Sequence, residues 1–406
     1  MEPSDAPLAG RIPALQRALA EAHLDAWLLY DFHAQNPTAV GALGLTGRML
    51  TRRWFYLVPR EGEPVALVHA IELGSFPPEV PGRRERYASW ASLREGLSRL
   101  LGALPQGSAP ARVAMEYFPQ GAIPTLSRVD AGTLELVRGH GVEVVSSGDL
   151  VQRFLCRWDA AQVESHRRAL AAIDGAKDAA FARVGEALRR GETLLETDVQ
   201  AFLMARFREA DLETDHPPIV AVNAHAGDPH YAPSAATPTP IRSGDVLLID
   251  LWARGRGPRD VYADITWVGF CGDRPPERLE RIFRVTTEAR DVGLETLRRA
   301  HVEGRTLQGW EVDRAVRDHI AAAGFGDAFV HRTGHSIGTE VHGDGANLDD
   351  LETHDTRPLV PGLAFSIEPG IYLPAEGLGV RSEIDVFLAE DGPKVFSKIQ
   401  RELVRV

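Results

Sequence analysis

Between His331 and Gly345 the chain reads HRTGHSIGTEVHGDG, three histidines set among glycines in a protein of 406 residues that holds 14 histidines in all. Imidazole is a borderline nitrogen donor and titrates near neutral pH, so such a stretch suits metal binding or proton transfer. His335, between Gly334 and Gly338, lies where the backbone can approach closely and turn sharply. Alone, such a histidine is more often structural. Four acids embedded in apolar, strand-forming sequence change that weighting: Asp250 ends DVLLID, Asp264 interrupts VYADITWVGF, Glu368 lies in LAFSIEPG and Glu383 in GVRSEIDVFL. Burying carboxylates without partners is costly, and a divalent cation is the compact remedy.

The segment ARGRGPRD, between the two aspartates, carries the glycines and proline of a chain reversal. A hairpin symmetric about Gly257 makes Asp250 and Asp264 direct cross-strand neighbours, with Cβ atoms ~5 Å apart. Strand alternation puts Glu368 on one face with Ala364 and Ser366, and Glu383 with Arg381 and Asp385; a solvated face accounts for Asp385. Two aspartates, two glutamates and one imidazole form a hard, oxygen-dominated donor set that suits manganese, cobalt or zinc better than copper. Four negative charges exceed what one catalytic ion takes, and two ions sharing bridging carboxylates balance them.

The ordered set Asp250, Asp264 in DITW, His335 in GHSIG, Glu368 in SIEPG and Glu383 in GVRSEID resembles the dinuclear metallopeptidases of the pita-bread fold, the group of methionine aminopeptidase, aminopeptidase P and prolidase. The resemblance implies an α+β pita-bread catalytic domain over residues 156–406, preceded at 1–155 by a smaller α/β domain of the creatinase N-terminal type. It also implies that Asp250, Asp264, His335, Glu368 and Glu383 hold two divalent ions, manganese first and cobalt or zinc as options. Glu368 would handle protons as well. His342, His230 in DPHYAP and Arg381 match catalytic positions of the family, and His331 matches a substrate-side histidine of its proline-specific branch. The implied activity is hydrolysis of the Xaa-Pro bond of dipeptides by a metal-bridging hydroxide. The alternatives are an aminopeptidase P activity on longer peptides and a non-catalytic binding module of the same fold. By the same resemblance the protein is expected to be a homodimer. The sequence departs from the family in a longer interval between the aspartates, in DLW after the first of them, in DITW for DITR and in GHS for GHG.

The elements that must position these residues are legible in outline. PALQRALAEAHLDAWLLY reads as an amphipathic helix running into a strand, RRWFYLVPREGEPVALVHAIE as two strands around a turn, and ARVAMEYFP as another strand. GALGLTGRM lacks the strand, glycine pattern and helix of a phosphate loop and reads as a turn. From Asp159, a plausible N-cap, helical periodicity runs to Gly191 and opens the second domain. Further helices are expected in ETDVQAFLMARFREADL, PERLERIFRVTTEARDVGLETLRRAHVEG and GWEVDRAVRDHIAAAGFG, alternating with hairpins rather than single strands, which predicts a largely antiparallel sheet.

Composition bounds the partners. With 44% hydrophobic and 25% charged residues the chain is a folded globular protein, and its net charge of −12 argues against general nucleic-acid binding. No apolar run is long enough to span a bilayer, and a soluble protein without an export signal is expected. Cys156 and Cys271 are too few for a disulfide framework and fit a reducing cytoplasm. Of the other histidines, His216 and His225 flank the approach to His230; the rest are read as ordinary surface or core residues.

Overall fold

In the first unit, the strand Ala26–Asp31 (AWLLYD) is buried at every residue. Alternation explains how: Trp27 and Leu29 enter one apolar cluster with Leu15, Leu19 and Trp54, while Leu28 and Tyr30 enter a second with Leu93, Leu97 and Val137. The computed structural model describes residues 8–105 and 107–406, and the chain divides into two units, one running to Arg157 and the other from Trp158 to Val406.

The first unit is a six-stranded sheet. Its strands run, edge to edge, Arg83–Tyr87, Val65–His69, Trp54–Pro59, Ala26–Asp31, Arg112–Met115 and Glu143–Ser146. Only Trp54–Pro59 opposes the direction of the others. The helix Trp90–Gly102, which the sequence reading missed, covers one face; its start is fixed by a capping box between Ser89 and Ser92. Glu116, just past the strand Arg112–Met115, is fully buried and takes hydrogen bonds from Trp27 Nε1 (2.7 Å), Asn36 Nδ2 (2.9 Å) and Ser147 Oγ (3.1 Å).

The second unit opens with the helix Ala160–Arg190, begun by a capping box between Asp159 and Gln162 and ended at left-handed Gly191. Its buried stripe, including Leu170, Ile173, Phe181 and Val184, packs on one face of the hairpin Val246–Gly255/Ala263–Phe270, against Ile249, Leu251 and Ile265. The helix Glu277–Val302 meets the opposite face near Leu248 and Val268. Leu212–Glu213 and Ile219–Val222 both pair with the outer edge of Val246–Gly255, and Val404–Arg405 runs parallel to Ala263–Phe270. Two further groups complete the unit: a sheet of Ala364–Ile367, Ile384–Ala389 and Gly392–Val395, and a hairpin of Gly370–Leu373 with Leu378–Arg381.

Two expectations are corrected. The long hairpin turns about Pro258, not Gly257, so Asp250 faces Thr266 while Asp264 faces Trp252. The Asp260 carboxylate, accepting from Gly257 N at 3.0 Å, tightens the turn beyond the glycine. The aspartates are therefore diagonal neighbours on one face. Likewise GVRSEIDVFL is not one continuous strand: it breaks at Ser382 and Glu383, and its two halves join different sheets. The strand Ala364–Ile367 stops just before Glu368 and Pro369, and the proline has no N–H to give a ladder.

Candidate metal centre

The inner face of the long hairpin presents Asp250 and Asp264, and the breaks in the two later strands bring Glu368 and Glu383 toward it. Asp264, His335 and Glu383 are all buried and offer ligand atoms within 4.8 Å of one another. Glu368 joins through His335, its Oε1 lying 3.3 Å from the ring Nε2. Asp250 is held by Arg381 Nη2 at 2.5 Å. The same guanidinium donates through Nε to Thr266 Oγ1 (3.1 Å), whose hydroxyl donates to Glu383 Oε2 (2.8 Å). All five candidate donors thus belong to one connected cluster.

Local packing fixes the histidine. Gly334 lies so close to the strand Ala364–Ile367 that a Cβ there would stand 1.9 Å from the carbonyl oxygen of Ser366, so only glycine fits. His335 N donates to Ser366 Oγ at 3.0 Å, and that hydroxyl donates to Glu368 Oε1 at 3.1 Å. The next residue is tied down by Asn347, whose Oδ1 accepts from Ser336 N at 2.9 Å. With Ser336 O 3.3 Å from His335 Nδ1, the proton sits on Nδ1 and Nε2 points its lone pair at the acids. Burial, reinforced by Arg332, pushes the imidazole down to about 3, so the ring is neutral.

Burial pushes Asp264 and Glu383 well above the usual carboxylate range, and the neighbouring carboxylates add to the effect. Asp264 Oδ1 and Glu383 Oε1 are buried and have no hydrogen-bond partner among the described residues. Such acceptors are costly to leave unmet. Oxygen-rich, charge-frustrated and backed by one neutral imidazole, the set fits divalent cations, which would restore the ionised forms and satisfy both orphan oxygens.

Asp385 departs from expectation. It is not solvated but buried, accepting from Asp264 N at 2.8 Å, and burial raises its carboxyl well above the usual range. His166, read as ordinary, backs it at 3.8 Å; burial holds this ring down at about 4, and its Nδ1 faces Tyr262 O at 2.9 Å. An acid inside an apolar strand was the signal that singled out Asp264, and it applied equally to Asp385.

His331 lies beside the cluster with both ring nitrogens engaged. Nδ1 meets Arg332 O at 2.7 Å, and Nε2 meets the Tyr372 hydroxyl at 2.7 Å. Arg381 Nη1 donates to the same hydroxyl at 2.9 Å, so the tyrosine proton goes to His331. Burial lowers His331 to about 4 and raises Tyr372 to about 12. Tyr372 was missed because nothing distinguishes it in sequence from an ordinary strand tyrosine. His342 stands edge-on to His335, ring centroids 4.3 Å apart, on the exposed side.

His230 is exposed; no side-chain hydrogen bond or ring contact joins it to the cluster among the described residues. Its neighbours are braced. Buried Glu196 accepts from Val222 N (2.7 Å) and Tyr231 Oη (2.6 Å) and faces His225 Nδ1 at 3.0 Å. The rings of His225 and Tyr231 stack at 4.1 Å.

The pattern described as metallopeptidase family M24 matches residues 164–390, more than half of the chain. The chain is 36% identical over 186 residues to the uncharacterized peptidase YqhT of Bacillus subtilis, covering 46% of this chain and 48% of that protein. It is 31% identical over 226 residues to an Xaa-Pro dipeptidase of Lactobacillus delbrueckii subsp. lactis, 56% of each chain. The matched segments therefore span about half the length of these curated relatives. Across nearly the whole length, 98% of both chains, the fold superposes on the crystal structure of dipeptidase PepE from Mycobacterium ulcerans with a TM-score of 0.74 at 26% identity.

Proposed function

The chain belongs to metallopeptidase family M24, and from that premise we propose that it is an Xaa-Pro dipeptidase, cleaving the bond before proline in dipeptides. The observation that carries this reading is the buried group Asp264, His335 and Glu383 with its unsatisfied carboxylate oxygens. The name of the Lactobacillus relative supports the choice of substrate. The fold of the present chain is the two-domain pita-bread α+β architecture, with residues 156–406 assigned to catalysis and 1–155 to the creatinase-type domain.

Asp250, Asp264, His335, Glu368 and Glu383 would hold two divalent ions, with manganese suited to so many oxygen donors and one nitrogen. When bound, such ions activate a water and polarise the scissile carbonyl. The remaining work falls to the protein. Glu368, whose side chain is 15% exposed, is the most accessible acid of the set; it accepts the proton of the attacking water and passes it to the proline nitrogen as the bond breaks. His342, on the open side of His335, donates to the oxygen that gains charge, and His230 meets the substrate backbone from its exposed loop. Arg381 orients Asp250 and, through Thr266, Glu383. His331 acts on the substrate side through Tyr372, since its own nitrogens are taken.

Two cysteines in 406 residues are too few for a disulfide framework, which supports a reducing cytoplasm; no described helix is long and apolar enough to cross a membrane. A homodimer follows from the family resemblance. The test is to load the protein with manganese, count bound metal and offer Ala-Pro and Ala-Pro-Ala. Two ions per chain and release of proline from Ala-Pro are expected. Cleavage of the tripeptide alone would replace this reading with an aminopeptidase P activity, and absence of bound metal would overturn both.

A further inference from the structure

Trp252 lies two residues beyond Asp250 on the same strand face and directly opposite Asp264. Its Cβ is therefore about 5 Å from that of the aspartate, and its side chain packs, partly buried, against the cluster containing Tyr262, Ile337 and Val341, the residue before His342. The indole is not free to swing: Nε1 donates to Asp215 Oδ1 at 2.6 Å. Asp215 stands in the loop between Leu212–Glu213 and Ile219–Val222, the two strands that edge the aspartate strand. Partial burial works against its ionisation, but hydrogen bonds from Trp252 and His216 outweigh it and keep the carboxyl below its usual range. The side chain is 39% exposed. Its charge reaches Tyr262, where Glu340 adds a second negative charge.

The cations around this stretch are engaged or yielding. Arg254 lies over the Tyr262 ring and pairs with Glu213 at 2.8 Å. Arg332 faces Glu352 at 3.9 Å. His216, 3.2 Å from Asp215, is 76% exposed and can give way to a ligand.

We propose that Trp252 and Asp215 form the wall that selects the residue before the scissile bond, and that the dipeptides it favours carry a cationic first side chain, lysine or arginine. The indole face takes the methylenes and the charge that follows them, and Asp215 pairs with that charge. The proposal rests on the Xaa-Pro reading above and names the substrate class of that site.

The test is a set of ratios within single preparations, so that partial unfolding or metal loss cancels. Values of kcat/KM are measured for Lys-Pro, Leu-Pro and Glu-Pro. The protein is expected to favour Lys-Pro over Glu-Pro by about fivefold or more, the scale of a partly exposed ion pair beside an aromatic face. Asp215→Asn brings that ratio close to one, Asp215→Glu retains it, and Trp252→Leu lowers Lys-Pro relative to Leu-Pro. Calorimetric titration with reduced-bond analogues of Lys-Pro and Glu-Pro reads the same order without turnover. Equal use of Lys-Pro and Glu-Pro, or a ratio unmoved in Asp215→Asn, overturns the wall. Failure to hydrolyse any of the three dipeptides while the analogues still bind in the expected order overturns the Xaa-Pro reading instead.

Discussion

Each unit of this protein buries carboxylates that take no hydrogen bond from lysine or arginine among the described residues, and the two units meet the cost differently. Glu116 in the first unit receives three donors, from Trp27, Asn36 and Ser147, and both its oxygens are used. In the second unit Asp264 and Glu383 are also buried, yet each keeps one oxygen without a donor among the described residues, and burial together with neighbouring carboxylates raises both carboxyls. A satisfied buried acid is a staple between elements. A frustrated pair could hold a metal ion, because the stability withheld by the protein would be available to a cation.

The contrast breaks most readily at Glu383. Glu383→Gln removes one negative charge and a donor oxygen, so activity should fall by roughly 10³-fold or more, the scale expected when several kcal/mol of metal-derived stabilisation is lost. The same substitution should raise the thermal midpoint of the metal-stripped protein, since it relieves repulsion. Stripped Glu383→Gln melting below stripped wild type would show that the cluster is not frustrated.

Glu116 predicts the next largest effect, in stability. Burial lifts its carboxyl from the usual 4.5 to about 7. Between those values the folded protein retains a proton that the unfolded chain has released. The contribution of Glu116 to stability is therefore full below about pH 4.5 and is lost as pH rises to 7, about 3 kcal/mol in all. Glu116→Gln should flatten this slope while lowering stability at pH 5, where an amide N–H replaces an acceptor. Calorimetric scans at pH 5 and pH 7 compare the two proteins; equal slopes would remove Glu116 as the cause.

The smallest effect is expected at Asp385, which serves the cluster from behind by accepting from Asp264 N. Asp385→Asn preserves that bond and deletes a charge. Metal affinity, read by competition with a chelator, should weaken by about tenfold, in the range seen for residues that orient ligands. A loss as large as that of Glu383→Gln would mean Asp385 binds the ion itself.

The acids of the site stood out in the sequence because Asp250, Asp264, Glu368 and Glu383 each violate the apolar pattern of a strand. What periodicity does not carry is register. The shift of the hairpin centre from Gly257 to Pro258 depends on how Asp260 closes the turn, and it turned a direct aspartate pair into a diagonal one. Tyr372 and Thr266 are ordinary strand formers whose role exists only once Arg381 reaches them. Asp385 was misread because alternation placed it with Arg381 and Glu383 on what looked like a charged, wet face; the strand break at Ser382 and Glu383 invalidates that alternation. In the first unit the helix Trp90–Gly102 escaped notice because Ser92 takes the capping place usually marked by an acid or amide.

The close approach of Gly334 to the Ser366 carbonyl reaches beyond packing. Even a single methyl group there would lever the adjoining imidazole away from its companions. A position that touches no substrate and offers no functional group is thus under the same selection as those that do the chemistry. In a saturation library scored for activity, Gly334 would be as intolerant as any acid in the cluster, though it has no side chain to lose.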